Sequence, residues 1–155
     1  MRLAILLICC TAALGQTSTT TPSDQKPKAP DYGLGVGAKG KQLDALDILS
    51  DTQGVDFGPY LKGLLENVRK NWYRLIPESA ATKRGKLAIE FAITKDGKIA
   101  DMRLVATSDD TQLDRAAWGS IRTCNPFKPL PEKFTGPYLA VRMRFYYNPD
   151  KSDMN

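Results

Sequence analysis

From Phe57 to Leu75 the large apolar residues fall at Leu61, Leu64, Leu65, Val68, Trp72 and Leu75, while Lys62, Glu66, Arg69, Lys70 and Arg74 lie off that line. Spacings of three and four draw one stripe along a helix, so this stretch is expected to be helical with one buried face. Asp56 is placed to cap its start, Pro59 falls in the first turn where a missing N–H is harmless, and Pro77 forces Ile76 out of helix. The period then changes to two. Leu87, Ile89, Phe91 and Ile93 point one way and Ala88, Glu90, Ala92 and Thr94 the other, the signature of a strand with one buried face. Asp96-Gly97 is expected to supply both positive-φ positions of a tight hairpin, and Ile99 to Thr107 to return as a second strand.

Thr111, with Asp114 three residues on, resembles a capping box, and Leu113, Ala116, Ala117, Ser120, Ile121 and Cys124 mark a second helix whose small inner residues let it lie close to a sheet. Asn125-Pro126 ends it, and Pro126, Pro129 and Pro131 hold Phe127 and Leu130 in an extended connection. The last regular piece, Tyr138 to Tyr147, alternates again. Leu139, Val141, Met143, Phe145 and Tyr147 form one face, and Tyr138, Ala140, Arg142, Arg144 and Tyr146 the other. The order helix, strand, strand, helix, strand predicts an α+β fold: two helices packed on a three-stranded antiparallel sheet in spatial order two, one, three. The last strand is then an edge with a row of unpaired backbone groups.

Ahead of the domain the pattern fades. Met1 and Arg2 precede an apolar or small run from Leu3 to Leu14, which reads as a secretory signal peptide over residues 1–15 and implies export. The run is shorter than the roughly 20 residues that span a bilayer. Retention as an inner-membrane anchor, or lipid modification at Cys10, are the alternatives. Residues 16–54 are rich in Thr, Ser, Pro and Gly and read as a flexible linker, with a short apolar patch at Leu43, Leu46, Ile48 and Leu49. Residues 55–149 make the domain and 150–155 a tail.

Composition narrows the chemistry. The 155 residues contain no histidine, which excludes a Ser-His-Asp triad, a Cys-His pair and an imidazole metal ligand. With Cys9 and Cys10 inside the signal, only Cys124 remains, and one cysteine cannot form an internal disulfide. The 22 basic and 17 acidic residues leave a net charge of +5, too dispersed to suggest a nucleic-acid groove. Asp109, Asp110 and Asp114 cluster as carboxylate ligands do, but acids at a helix N-terminus are favoured by the backbone dipole alone. Neither catalytic residues, nor a metal site, nor a cofactor is expected.

The ordered set Asn71-Trp72 with Pro77, Gly85, Asp96-Gly97, Leu113-Asp114-Arg115-Ala116-Ala117, Pro126-Phe127-Lys128-Pro129-Leu130-Pro131 and Phe145-Tyr146-Tyr147-Asn148-Pro149 resembles the periplasmic C-terminal domain of the TonB and TolA family. The resemblance implies a non-enzymatic adaptor of the cell envelope. It would grip a segment of an outer-membrane transporter by adding it as a strand beside its own last strand, in a system driven by an inner-membrane proton-driven motor. Backbone hydrogen bonds give such an addition its affinity and alternate side chains its selectivity. The contact strand maps to Tyr138, Ala140, Arg142, Arg144 and Tyr146, and Trp118, off the inner face of the second helix, is a further exposed contact. The alternative is a structural envelope protein that acts by self-association, for instance as a homodimer, without energy transduction.

Overall fold

The computed structural model of the chain describes residues 45–154. The expected signal peptide and most of the expected linker lie outside the described residues, and among those described no helix is long and apolar enough to cross a membrane. The elements, in chain order, are β1 (Leu46–Ile48), α1 (Gly58–Leu75), a 3-10 turn (Glu78–Thr82), β2 (Gly85–Thr94), β3 (Ile99–Ala106), α2 (Thr111–Thr123), β4 (Tyr138–Tyr147) and a terminal 3-10 turn (Lys151–Met154).

The α+β class holds, but the sheet has four strands in the order β1-β4-β2-β3. Every pairing is antiparallel. The expected three-stranded sheet with β4 as its edge is therefore corrected. The apolar patch at the end of the expected linker, within the segment of residues 45–50 that forms a leader strand ahead of α1, supplies an extra strand, and β4 lies between β1 and β2. Burial is the physical cause. Leu46 is 2% exposed and joins the common core, with Ile48 packed against that core.

Helix α1 starts where Asp56 Oδ1 accepts the Gly58 N–H at 2.9 Å, and ends with Ile76 extended ahead of Pro77. Its stripe of Leu61, Leu64, Val68 and Trp72 is buried. Trp72 meets Phe145 and Tyr147 edge-on at 5.2 and 5.0 Å between ring centroids, a favoured aromatic geometry. The Trp72 indole N–H donates to Tyr147 Oη at 2.7 Å, and that hydroxyl donates to the Leu113 carbonyl at 2.7 Å. One buried relay thus joins α1, β4 and α2.

The β2–β3 hairpin differs from expectation in its turn. Gly97 alone takes positive φ, at 85°, and Asp96 does not. The Gly97 N–H donates to the Thr94 carbonyl and the Thr94 N–H to the Lys98 carbonyl, each at 2.9 Å. This is the longer hairpin loop that ends on a left-handed glycine, rather than a two-residue turn with two such positions. The Pro-rich connection explains the choice, because it packs against the loop. The Phe127 N–H donates to the Gly97 carbonyl at 2.8 Å, and a Cβ at Gly97 would lie 2.2 Å from the Phe127 oxygen. Phe127, Leu130 and Phe134 are buried, with Phe127 stacked on Phe91 and Phe134 edge-on to Phe57.

Asp110 caps α2, accepting from the Gln112 and Leu113 N–H groups, so the cap lies one residue before the Thr111 expected for it. Asp114 instead closes the preceding turn. Its carboxylate accepts from the hydroxyls of Thr107 and Ser108, both at 2.6 Å, and from the Ser108 N–H at 2.9 Å.

Candidate functional site

The expected contact strand is β4, and its alternation is as read from the sequence. Leu139, Val141, Met143, Phe145 and Tyr147 are buried, and the opposite face carries Tyr138, Ala140, Arg142, Arg144 and Tyr146. Along its inner flank β4 pairs with β2 over its whole length, from Tyr138 opposite Thr94 to Tyr147 opposite Gly85. On the outer flank lies the leader, with Leu46, Asp47 and Ile48 opposite Met143, Arg142 and Val141. The Leu49 N–H donates to the Ala140 carbonyl and the Arg144 N–H to the Ala45 carbonyl, both at 2.8 Å. The Ala140 N–H is met by a side chain, Ser50 Oγ, at 3.0 Å. In antiparallel ladders the outward-facing groups recur every second residue. The N–H groups of Ala140, Arg142 and Arg144 therefore face the leader. The flank expected to be open is occupied by the chain's own residues 45–50.

The solvent face of the sheet carries a transverse row of alternating charge. Asp47 stands opposite Arg142, Arg142 opposite Glu90, and Glu90 opposite Arg103, one residue from each strand. Arg142 donates through Nε and NH2 to Glu90 Oε1 at 2.9 and 2.6 Å, and Arg103 donates through the same two atoms to Oε2 at the same distances. Glu90 is 7% exposed beneath these two guanidinium groups. Hydrogen bonds from Arg142 and then Arg103 hold its carboxyl below the usual carboxylate range against the opposing effect of burial. Asp47 is claimed by the diagonal neighbour, since Arg144 reaches its Oδ2 at 2.6 Å.

The remaining candidate residues divide between this strand and the helices. Tyr138 is 48% exposed at the start of β4. The Tyr146 ring lies under the Lys86 ammonium at 5.5 Å, a cation–π contact. Trp118 is half-buried and packs against the core, at a shallow depression on α2 with Arg115, Gly119, Arg122 and Thr123. It is not brought together with the β4 residues into one pocket.

Residues weighed for other chemistry have structural duties. Asp110 caps α2 and pairs with Lys83 at 2.6 Å, which holds its carboxyl below its ordinary pKa. No group of three or more metal-binding side chains occurs among the described residues. Cys124 is half-buried and takes a hydrogen bond from the Asn71 amide at 3.1 Å, and burial pushes its thiol pKa up. A raised thiol pKa removes the thiolate that nucleophilic chemistry needs.

Sequence reasoning missed the pairing of β1. Its signal was the triplet Leu46-Asp47-Ile48, an apolar–acidic–apolar alternation three residues long. It also missed Asn148, whose left-handed backbone lets its amide donate to the carbonyls of Ala80 and Lys83 at 2.9 and 2.7 Å, tying the end of β4 to the turn before β2.

Residues 77–149 match the family model of the Gram-negative bacterial TonB protein C-terminal. That match begins after α1, so neither α1 nor the leader strand falls within it. Among solved structures, the chain is similar to the NMR structure of the Helicobacter pylori TonB C-terminal domain, with 22% identity and a TM-score of 0.48 over 66% of this chain and 94% of that one. It is also similar to the Pseudomonas aeruginosa TonB C-terminal domain, with 14% identity and a TM-score of 0.35 over 70% of this chain and 90% of that one. No curated protein matches the sequence.

Proposed function

We propose that this chain, whose residues 77–149 match the model of the TonB C-terminal family, is a periplasmic adaptor that captures an extended segment of an outer-membrane transporter by strand addition on β4. Domains of this family are non-enzymatic interaction modules, and their setting is the cell envelope and its transport. In this reading the captured segment is coupled to energy-dependent transport through an inner-membrane proton-driven motor, and the chain reaches the periplasm by the signal peptide expected at residues 1–15.

One observation supports capture on β4 above the rest. The strand is 10 residues long, pairs over its full length with β2, and is matched in register on its outer flank by a strand of only 3 residues. Residues 45–50 occupy that flank, so capture there requires their displacement, after which main-chain hydrogen bonds would supply affinity and every second side chain would be read. The guanidinium groups of Arg142 and Arg144 stand on the solvent face beside that flank.

The test is a titration of the full chain with a labelled periplasmic segment of a TonB-dependent transporter, alongside Arg142→Pro. Both are measured in chains that also carry Asp47→Pro, so that residues 45–50 no longer compete for the same N–H. There Arg142→Pro removes a donor that faces the outer flank and affinity is expected to fall at least about tenfold, with circular dichroism checking that loss of the Arg142 guanidinium from Glu90 leaves the fold intact. Absence of binding up to about millimolar peptide, or binding indifferent to the proline, overturns the proposal.

A further inference from the structure

The occupant of the β4 flank describes the ligand the flank accepts. Leu46 faces the helices and is 2% exposed, Ile48 lies on the same side half-buried against the core, and Asp47 between them faces the solvent side, where Arg144 holds its carboxylate at 2.6 Å and Arg142 stands directly opposite. A strand in this register therefore meets apolar surface, then Arg144 with Arg142 directly opposite and held by Glu90, then apolar surface again. The leader answers each in turn with a leucine, an aspartate and an isoleucine.

The leader is also lightly fastened. Its register spans 3 residues, flanked by single backbone bonds from the Arg144 N–H to the Ala45 carbonyl and from the Leu49 N–H to the Ala140 carbonyl, both at 2.8 Å, and at its end the Ala140 N–H is met by the Ser50 hydroxyl in place of a backbone carbonyl. Downstream, Gln53 and Gly54 take positive φ at 53° and 74°, and the chain turns away toward α1. The connection from the strand to Gly58 is nonrepetitive backbone pinned at Gln53, whose Oε1 accepts from the Thr135 N–H and hydroxyl at 3.1 and 2.6 Å, so that residues 45–50 lie on the far side of that anchor from α1. An intramolecular strand at the end of such a connection competes at a high effective concentration, and an incoming strand binds only in proportion to the time the flank is free.

We propose that residues 45–50 are a displaceable internal surrogate for the partner strand, and that the β4 flank selects an extended segment carrying an apolar–acidic–apolar triplet, with its acid set between Arg142 and Arg144. The inference rests on the capture reading above and adds the chemistry of the captured segment and the competitor it must displace.

The experiment uses the full chain and its Asp47→Pro variant, in which the leader loses both a ladder N–H and its carboxylate. The probes are a labelled peptide of residues 45–52 and the same peptide with Asp47→Lys. The unaltered peptide is expected to bind Asp47→Pro at least about tenfold more tightly than it binds the parent chain, and the lysine peptide to bind Asp47→Pro about fivefold more weakly than the unaltered one. Equal affinity for the two chains overturns displacement. Equal affinity of the two peptides overturns the acidic specificity, and failure of both on a folded Asp47→Pro chain overturns the whole inference. If the peptides behave as expected while a transporter segment does not bind Asp47→Pro, the inference stands and the transporter reading falls. Should Asp47→Pro not fold by circular dichroism, Arg144→Glu keeps the backbone intact. It is expected to reverse the order of the two peptides, and an unchanged order counts against the proposal.

Discussion

Tyr147 closes the domain through one hydroxyl. It accepts from Trp72 and donates to the Leu113 carbonyl while only 1% exposed. Tyr147→Phe keeps the ring and strips both partners of their hydrogen bond in a place water does not reach. The expected loss is about 2–3 kcal/mol, because each buried polar group left unmet costs its desolvation; urea unfolding followed by tryptophan fluorescence measures it. That Trp72 and Tyr147 are core residues was legible in the sequence, one from helical spacing and the other from strand parity. The bond between them was not, since residues 75 apart in sequence are brought together only by the tertiary fold. Glu90 shows the same limit. Parity put it on the solvent face, and it is there, but its burial comes from arginines on two other strands.

Among the elements, the hairpin and the connection that follows α2 are one unit. Gly97 combines a left-handed backbone with an approach by the Phe127 carbonyl that leaves no room for a methyl group. Gly97→Ala is expected to cost more than about 2 kcal/mol, beyond the roughly 1 kcal/mol of an ordinary left-handed alanine, and thermal melting checks the value. The dipeptide Asp96-Gly97 announced a turn at the right place, yet the turn type depended on a segment 30 residues downstream. The two helices and three long strands were readable because each repeats its period several times. Three residues cannot establish a period, so β1 passed as a patch in a linker, and the edge was assigned to the wrong strand.

For the molecule as a whole, the distribution of titrating groups sets how stability follows pH. Glu90 and Asp110 have lowered pKa values in the fold, chiefly through Arg142 and Lys83 respectively, and Asp96 is lowered to about 2 by Lys98 and Thr94. For such groups the unfolded chain takes up protons first as the solution is acidified. Their contribution is complete above the unfolded carboxyl pKa of about 4 and drains away as pH falls through the folded values. The chain has no histidine, and the Cys124 pKa is raised, so little else titrates near neutrality. Urea midpoints are thus expected to be level between about pH 6 and 8 and to fall steadily from about pH 4.5 downward, with Glu90→Gln showing a shallower acid slope than the parent.

The row of charge across the sheet bears on what remains when the leader departs. One carboxylate leaves with it, that of Asp47. Glu90 stays laced to Arg142 on one side and Arg103 on the other, so β4, β2 and β3 keep their spacing without the fourth strand. A vacated mould that holds its shape spares the incoming segment the entropy of rebuilding it.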